Sequence, residues 1–225
     1  MRKLTLSFAA AALLFGASCN SSDSDKAATT SEQEAAAASG KELAVDAAGS
    51  VINWRATHKG GMAPRFGTLM VQSGTVSVEG GKVKAGSFVV DMNSLKVDST
   101  SVSEEGKKAT DLQAHLMNAD FFDVPKHPTA KFVITNVLPF DAAKDKSTLE
   151  GATDMVSGNL TLKDSTINVT FPAKIVSTET ETTVHSKFSV DRTSWGLTFG
   201  TEGAVADWGI SKDIELEVKL KAVQK

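Results

Sequence analysis

The sequence predicts an all-β domain of antiparallel strands, a barrel or a sandwich, interrupted by one short helix. Three observations carry this expectation. Apolar and polar residues alternate with a period of two through the C-terminal two thirds. Clusters of Gly, Asp, Asn and Lys break the chain into short segments, as turns do. Only one stretch, Lys107 to Asn118, has helical spacing, with Leu112 and Leu116 four apart on one face. At 225 residues, the chain has room for one such domain and an N-terminal extension.

The chain opens with Arg2 and Lys3, then an almost wholly apolar run from Leu4 to Phe15, then the small residues Gly16, Ala17 and Ser18. That order is the pattern of a secretion signal over residues 1–18. The run of about a dozen residues is well short of the roughly 20 that span a bilayer as a helix. Cys19, the sole cysteine, has no partner for an internal disulfide. Its place directly after Gly-Ala-Ser resembles a bacterial lipobox, with Gly16 where the lipobox usually has Leu. The resemblance implies acylation of Cys19 and membrane attachment through an N-terminal lipid anchor; the alternative is secretion with a free thiol. With Asn20 and not Asp after the cysteine, it further implies the outer membrane of the cell envelope, on its periplasmic or its surface leaflet.

Residues 19–42 are rich in Ser, Asp, Glu, Ala and Thr, and from Asn20 to Glu42 there is no aromatic and no β-branched aliphatic residue. Such a composition buries too little to offset ordering, so it reads as a disordered tether removable without loss of stability. The folded domain is then expected over 43–225.

Strand signals begin at Val51. Gly80-Gly81, between Val76-Ser-Val and Lys82-Val83, marks a two-residue hairpin that needs positive φ. Asp98 to Glu105 is acidic, Ser-rich and without an apolar pattern, hence an exposed loop. Val169, Phe171, Ala173 and Ile175 alternate with polar residues or Pro172, as do Val184, Ser186, Phe188 and Val190. In the last strand Ile214, Leu216, Val218, Leu220 and Ala222 alternate with Glu and Lys. Each strand therefore has one dry and one wet face.

Charge excludes one class of function. Lys and Arg number 24 against 27 Asp and Glu, a formal net charge of −3, which becomes −5 once residues 1–18 are removed; no basic patch suggests nucleic acid. Nor is there a Gly-x-Ser-x-Gly elbow, a phosphate-cradling glycine loop or a carboxylate pair set apart by its context, so no catalytic residue is assigned and no enzyme is expected. His58, His115, His127 and His185 show no close ligand spacing, so no metal and no cofactor are expected.

Trp54 to Leu69, with His58, Gly60-Gly61 and Phe66-Gly67, then Gly86-Ser-Phe-Val-Val-Asp-Met-Asn-Ser-Leu95, are similar to the opening strands of the YceI-like family. Leu112-Gln-Ala-His-Leu-Met-Asn-Ala-Asp-Phe-Phe-Asp123 followed by Lys126-His-Pro-Thr-Ala-Lys-Phe132 resembles its most recognisable run. Gly158 to Lys163 with Val169 to Ala173, and Phe188 to Gly196, are similar to later segments. Asp164 and Trp195 depart from the usual Gly and Phe, and Asp141 to Thr153 is a longer loop. The resemblance implies a lipocalin-like antiparallel β-barrel of about eight strands, with a polyisoprenoid or another long-chain lipid as ligand. The inward face would then include Phe88, Val90, Phe132, Ile134, Leu160, Leu162, Val169, Phe171, Phe188 and Val190. Small residues at the same parity, Ser186, Gly158 and Ala173, leave room for a ligand or fit the taper of a filled barrel.

His115 and His127 flank Phe121-Phe122 and are candidates for a lipid head group, although loop or capping roles are the commoner fate of such histidines. Arg192 matches phosphate oxygens in a bidentate fork, or pairs with Asp191 or another carboxylate as structural glue. Trp54, Trp195 and Trp208 suit plugging a barrel end or lining a pocket. The rival to a carrier is a packed barrel acting as an envelope adaptor through protein contacts, in a stress response for instance; a homodimer is compatible with either.

Overall fold

The computed structural model describes residues 24–58, 63–201 and 209–225. The wall is formed by strands β4 (Val51–His58), β5 (Ala63–Glu79), β6 (Lys82–Val97), β7 (Thr129–Pro139), β8 (Asp154–Leu162), β9 (Ser165–Ser177), β10 (Glu181–Asp191) and β11 (Asp213–Val223). Each pairs antiparallel with the next, and β11 pairs with β4, so the sheet closes on itself. The periodicity admitted a barrel or a sandwich; closure decides for the barrel. Gly80 and Gly81 take φ of +59° and +70° in the β5–β6 turn, as a tight two-residue hairpin requires. Helix α1 (Ala109–Met117) follows β6 and covers one end of the barrel, called the mouth here; the Gly80-Gly81 turn lies at the other, closed end.

The N-terminal segment departs from the tether expected over 19–42, and its described part corrects that reading. The β9–β10 ladder runs only from Thr182/Ser177 to Ser186/Ala173. Toward the mouth the two strands part, and strands β1 (Asp25–Lys26) and β2 (Ala28–Ser31) occupy their free edges. The first pairs parallel with Phe188 and Ser189 of β10, the second antiparallel with Ile167 to Thr170 of β9. Ala27 between them is buried, and its N–H donates to the Ser189 carbonyl at 2.9 Å. The strap continues past Asn159, whose amide accepts from Gln33 N at 3.0 Å and donates to Gln33 O at 2.7 Å, to Ala36, whose N–H donates to the Ile134 carbonyl. It ends in β3 (Lys41–Val45), which pairs with β5 and β11 below β4. Composition misleads here because it counts side-chain burial. This segment is held by main-chain hydrogen bonds to unpaired strand edges, which Ala, Ser and Thr make as well as Val does. Cys19, the signal segment, Gly60-Gly61 and Trp208 lie outside the described residues.

The interior has two unlike halves. Toward the closed end it is solid: Leu43, Val76, Val78, Val169, Ala173 and Ala222 are at most 1% exposed. Above them four rings span the barrel, with centroids 6.3 Å apart for Phe88–Phe132, 5.8 Å for Phe132–Phe171 and 3.9 Å for the stacked pair Phe171–Phe188. Toward the mouth the packing is open.

Candidate functional site

A cavity of about 690 Å³ fills the mouth half of the barrel. Its walls are inward residues of the same strands that pack solidly below: Ile52 and Trp54 of β4, Leu69 of β5, Val90 and Met92 of β6, Leu160 and Leu162 of β8, and Leu216 of β11. Helix α1 lies across the opening and turns Leu112 and Leu116 into the cavity, the face that their spacing of four predicts. Apart from the buried Arg192 in the wall, the charged groups stand around the opening, where Arg65 pairs with Glu104 beside Lys107, Lys108 and Asp111. An apolar interior with a polar rim takes an apolar body whose polar end stays near water.

Of the ten inward residues expected to hold a ligand, the structure brings four, Val90, Leu160, Leu162 and Val190, to the cavity wall. The other six, Phe88, Phe132, Ile134, Val169, Phe171 and Phe188, belong to the packed half. The small residues read as leaving space do not border the cavity either. A Cβ on Gly158 would lie 2.2 Å from Cζ of Phe132, so that glycine's room is taken by the ring. Ser186 and Ala173 are at most 1% exposed within the packed half.

Arg192 reaches the cavity wall while 3% exposed. Its Nε donates to the Ser211 carbonyl at 2.9 Å, Nη1 to that of Leu197 and Nη2 to that of Ile210 at 3.2 Å. Three of the guanidinium's five N–H groups thus tie the turn after β10 to the segment before β11. Burial lowers its pKa, partly offset by the Asp191 charge. No carboxylate among the described residues lies in ion-pair distance of Arg192; Asp191 instead accepts from Thr193 N and Oγ1 at 2.9 and 2.6 Å. Burial pushes the Asp191 carboxyl up, but the Thr193 hydrogen bonds with Lys26 and Lys212 bring it below its ordinary value.

His115 lines the mouth, edge-on to Phe121 and Phe199 at centroid distances of 5.2 and 4.9 Å, with Nε2 3.4 Å from Asp120 Oδ2. Phe199 is 44% exposed, so this aromatic group borders both cavity and solvent. His127 is not part of the lining; it stands 3.7 Å from Asp164 on the β8–β9 turn. Trp195, 2% exposed, lines the cavity and donates Nε1 to the Leu160 carbonyl at 2.9 Å, and Trp54 does the same to Lys96 at 3.2 Å. Sequence reasoning missed Ile52, Leu69, Met92 and Leu216 as wall residues. Parity alone places them inward, but nothing in a period of two says at which height along the barrel a residue sits.

The sequence matches the YceI-like domain over residues 43–222. No curated protein matches it. Among solved structures the fold is similar to BcnA of Burkholderia cenocepacia, with 18% identity and a TM-score of 0.57, covering 80% of this chain and 99% of that one. It is also similar to a polyisoprenoid binding domain from Saccharophagus degradans, with 18% identity and a TM-score of 0.52, covering 81% of this chain and 98% of that one.

Proposed function

Because the chain belongs to the YceI-like family, we propose that it is a carrier that holds a polyisoprenoid or another long-chain lipid in the barrel interior, within the bacterial cell envelope. The observation that carries this reading is the cavity: about 690 Å³, walled mainly by aliphatic and tryptophan side chains, with its charged groups at the rim apart from the buried Arg192. A void of that size falls in the range of single-ligand sites. A barrel acting purely as an adaptor has no use for it, since an unfilled apolar cavity costs stability in proportion to its volume. The Saccharophagus degradans domain, described as polyisoprenoid binding, supports the same ligand class.

In this reading the lipid chain lies along Val90, Leu160, Leu162 and Val190. Its head group sits at the rim near His115 and the two Arg192 N–H groups not spent on the carbonyls above. Binding is the whole activity; no step of covalent chemistry, cofactor or metal enters. Cys19 carries the lipid anchor and retains the protein at the outer membrane.

Native mass spectrometry and organic extraction of protein taken from a bacterial envelope test the carrier reading: a co-purifying long-chain lipid is the expected result. Lipid-free protein that also fails to titrate with isoprenoid and acyl chains overturns it. Fractionation of Cys19→Ala tests the anchor separately, with soluble protein expected and unchanged membrane association refuting it.

A further inference from the structure

We infer that the layer of four rings one inward position beneath the cavity wall acts as its floor and sets the length of the chain it accepts, with Phe132 as the specificity-determining residue. This rests on the carrier reading and adds to it a selectivity built from this chain's own residues. Val90 of β6, Ala130 of β7, Leu160 of β8 and Val190 of β10 line the cavity. One inward position further from the mouth, Phe88, Phe132 and Phe188 do not; they join Phe171 in an unbroken row of rings from β6 to β10.

The row is continuous across β8 only because of Gly158. Any side chain there would collide with all the outer atoms of the Phe132 ring that approach it, the three nearest lying 2.2 to 2.7 Å from the Cβ position. Phe132 therefore lies over the glycine and reaches Phe171 on the strand beyond. A similar recess receives Phe88, whose Cδ1 would be 2.9 Å from a Cβ on Gly74. Two glycines in the wall thus seat two of the four rings. A barrel that admitted a chain along its full length would need this level open.

An apolar chain entering from the mouth gains affinity with every methylene that leaves water, about fourfold per CH₂. That gain continues until the chain end meets the rings. Beyond that point further methylenes stay at the rim, in water, and contribute nothing. Affinity plotted against chain length should therefore rise and then break, and the break reports the depth of the floor. Phe132 is the ring best suited to alteration, since it is half-buried where Phe88, Phe171 and Phe188 are buried.

The test is titration of the full chain with saturated fatty acids of increasing length, followed by a linear isoprenoid-alcohol series. Phe132→Ala should move the break to chains longer by a few methylenes, and Ala130→Phe, which places a ring one layer nearer the mouth, should move it to shorter ones. Phe132→Leu stands in if the alanine variant does not fold, with a smaller shift in the same direction. Wild-type binding with a break that moves in opposite directions in the two variants supports the inference. Wild-type binding without a break, or with a break that neither variant moves, overturns the floor's role and leaves the carrier reading standing. No binding of any chain by the wild type refutes the carrier reading itself, and the floor's role with it.

Discussion

Asn159 is where the N-terminal strap can be detached by a single substitution. Its side chain is 6% exposed and makes three hydrogen bonds: Oδ1 accepts from Gln33 N at 3.0 Å and from Asn168 Nδ2 at 2.9 Å, and Nδ2 donates to Gln33 O at 2.7 Å. Asn159→Ala removes all three and strands two main-chain groups of the strap and one donor of Asn168. At about 0.5 to 1.5 kcal/mol net per bond, the loss is about 2 to 4 kcal/mol if the barrel stays otherwise intact. For a domain of this size that corresponds to roughly 5 to 15 °C in Tm. If the strap leaves as a unit before the barrel melts, the global loss is capped at the strap's own docking energy, and the change appears in hydrogen exchange instead. The amides of Ala27 and Ala36, bonded to the Ser189 and Ile134 carbonyls, should then lose protection while those of β5 and β6 keep theirs. Urea unfolding with an unchanged slope gives the first quantity and exchange mass spectrometry the second. A shift below 0.5 kcal/mol together with unchanged exchange at both amides would show that the strap does not depend on Asn159.

Deleting residues 24–36 should lower Tm by several degrees, because it leaves the edges of β9 and β10 unpaired where they part; unchanged melting would restore the tether reading. Glu217 should shape the acid limb of stability. Burial pushes its carboxyl up, but hydrogen bonds from Asn53, Lys219 and His185 bring it down from 4.5 to about 2. A lowered folded-state pKa stabilises above the unfolded value and is lost on descending through the folded one, so this contribution should disappear between about pH 4.5 and 2. Denaturation across that window should be less pH-dependent in Glu217→Gln, and identical slopes would refute the network. Gly158→Ala forces a Cβ to within 2.2 Å of the Phe132 ring, so it should cost about 1 to 3 kcal/mol by overpacking; a neutral effect in thermal melts would mean that the ring moves aside freely.

The strand content was legible because a period of two survives in almost every wall strand. The last strand, expected from Ile214 to Ala222, runs from Asp213 to Val223. The helix expected within Lys107 to Asn118 runs from Ala109 to Met117. Gly80-Gly81 turns as a two-glycine hairpin should. In each case the deciding interaction is local or lies one strand away. The strap was not legible, since what orders it is a gap between β9 and β10, and that gap exists only once the eight wall strands are in place. Nothing in the sequence of Asp25 to Ser31 marks it as a partner for Phe188 or Val169, because main-chain pairing places no demand on side chains.

The candidate site divides along the same line. Alternation identifies which residues of β6, β7, β8 and β10 face inward, and it treats Phe88 and Val90, or Phe132 and Ala130, as equivalent. They differ in height by one inward position, and that step separates floor from wall. Side-chain volume carries the missing coordinate. Of the four phenylalanines only Phe88 and Phe132 are opposite in register; Phe132 reaches Phe171 across β8, and Phe171 stacks on Phe188. Gly158, read in isolation as room for a ligand, is the recess into which the Phe132 ring fits, as Gly74 is for Phe88. A small inward residue in a barrel therefore marks a void only where no large residue on a neighbouring strand shares its level. Applied to Val90, Ala130 and Val190, which have no ring at their own level among the inward residues of β6, β7 and β10, the same rule marks the cavity where the structure has it.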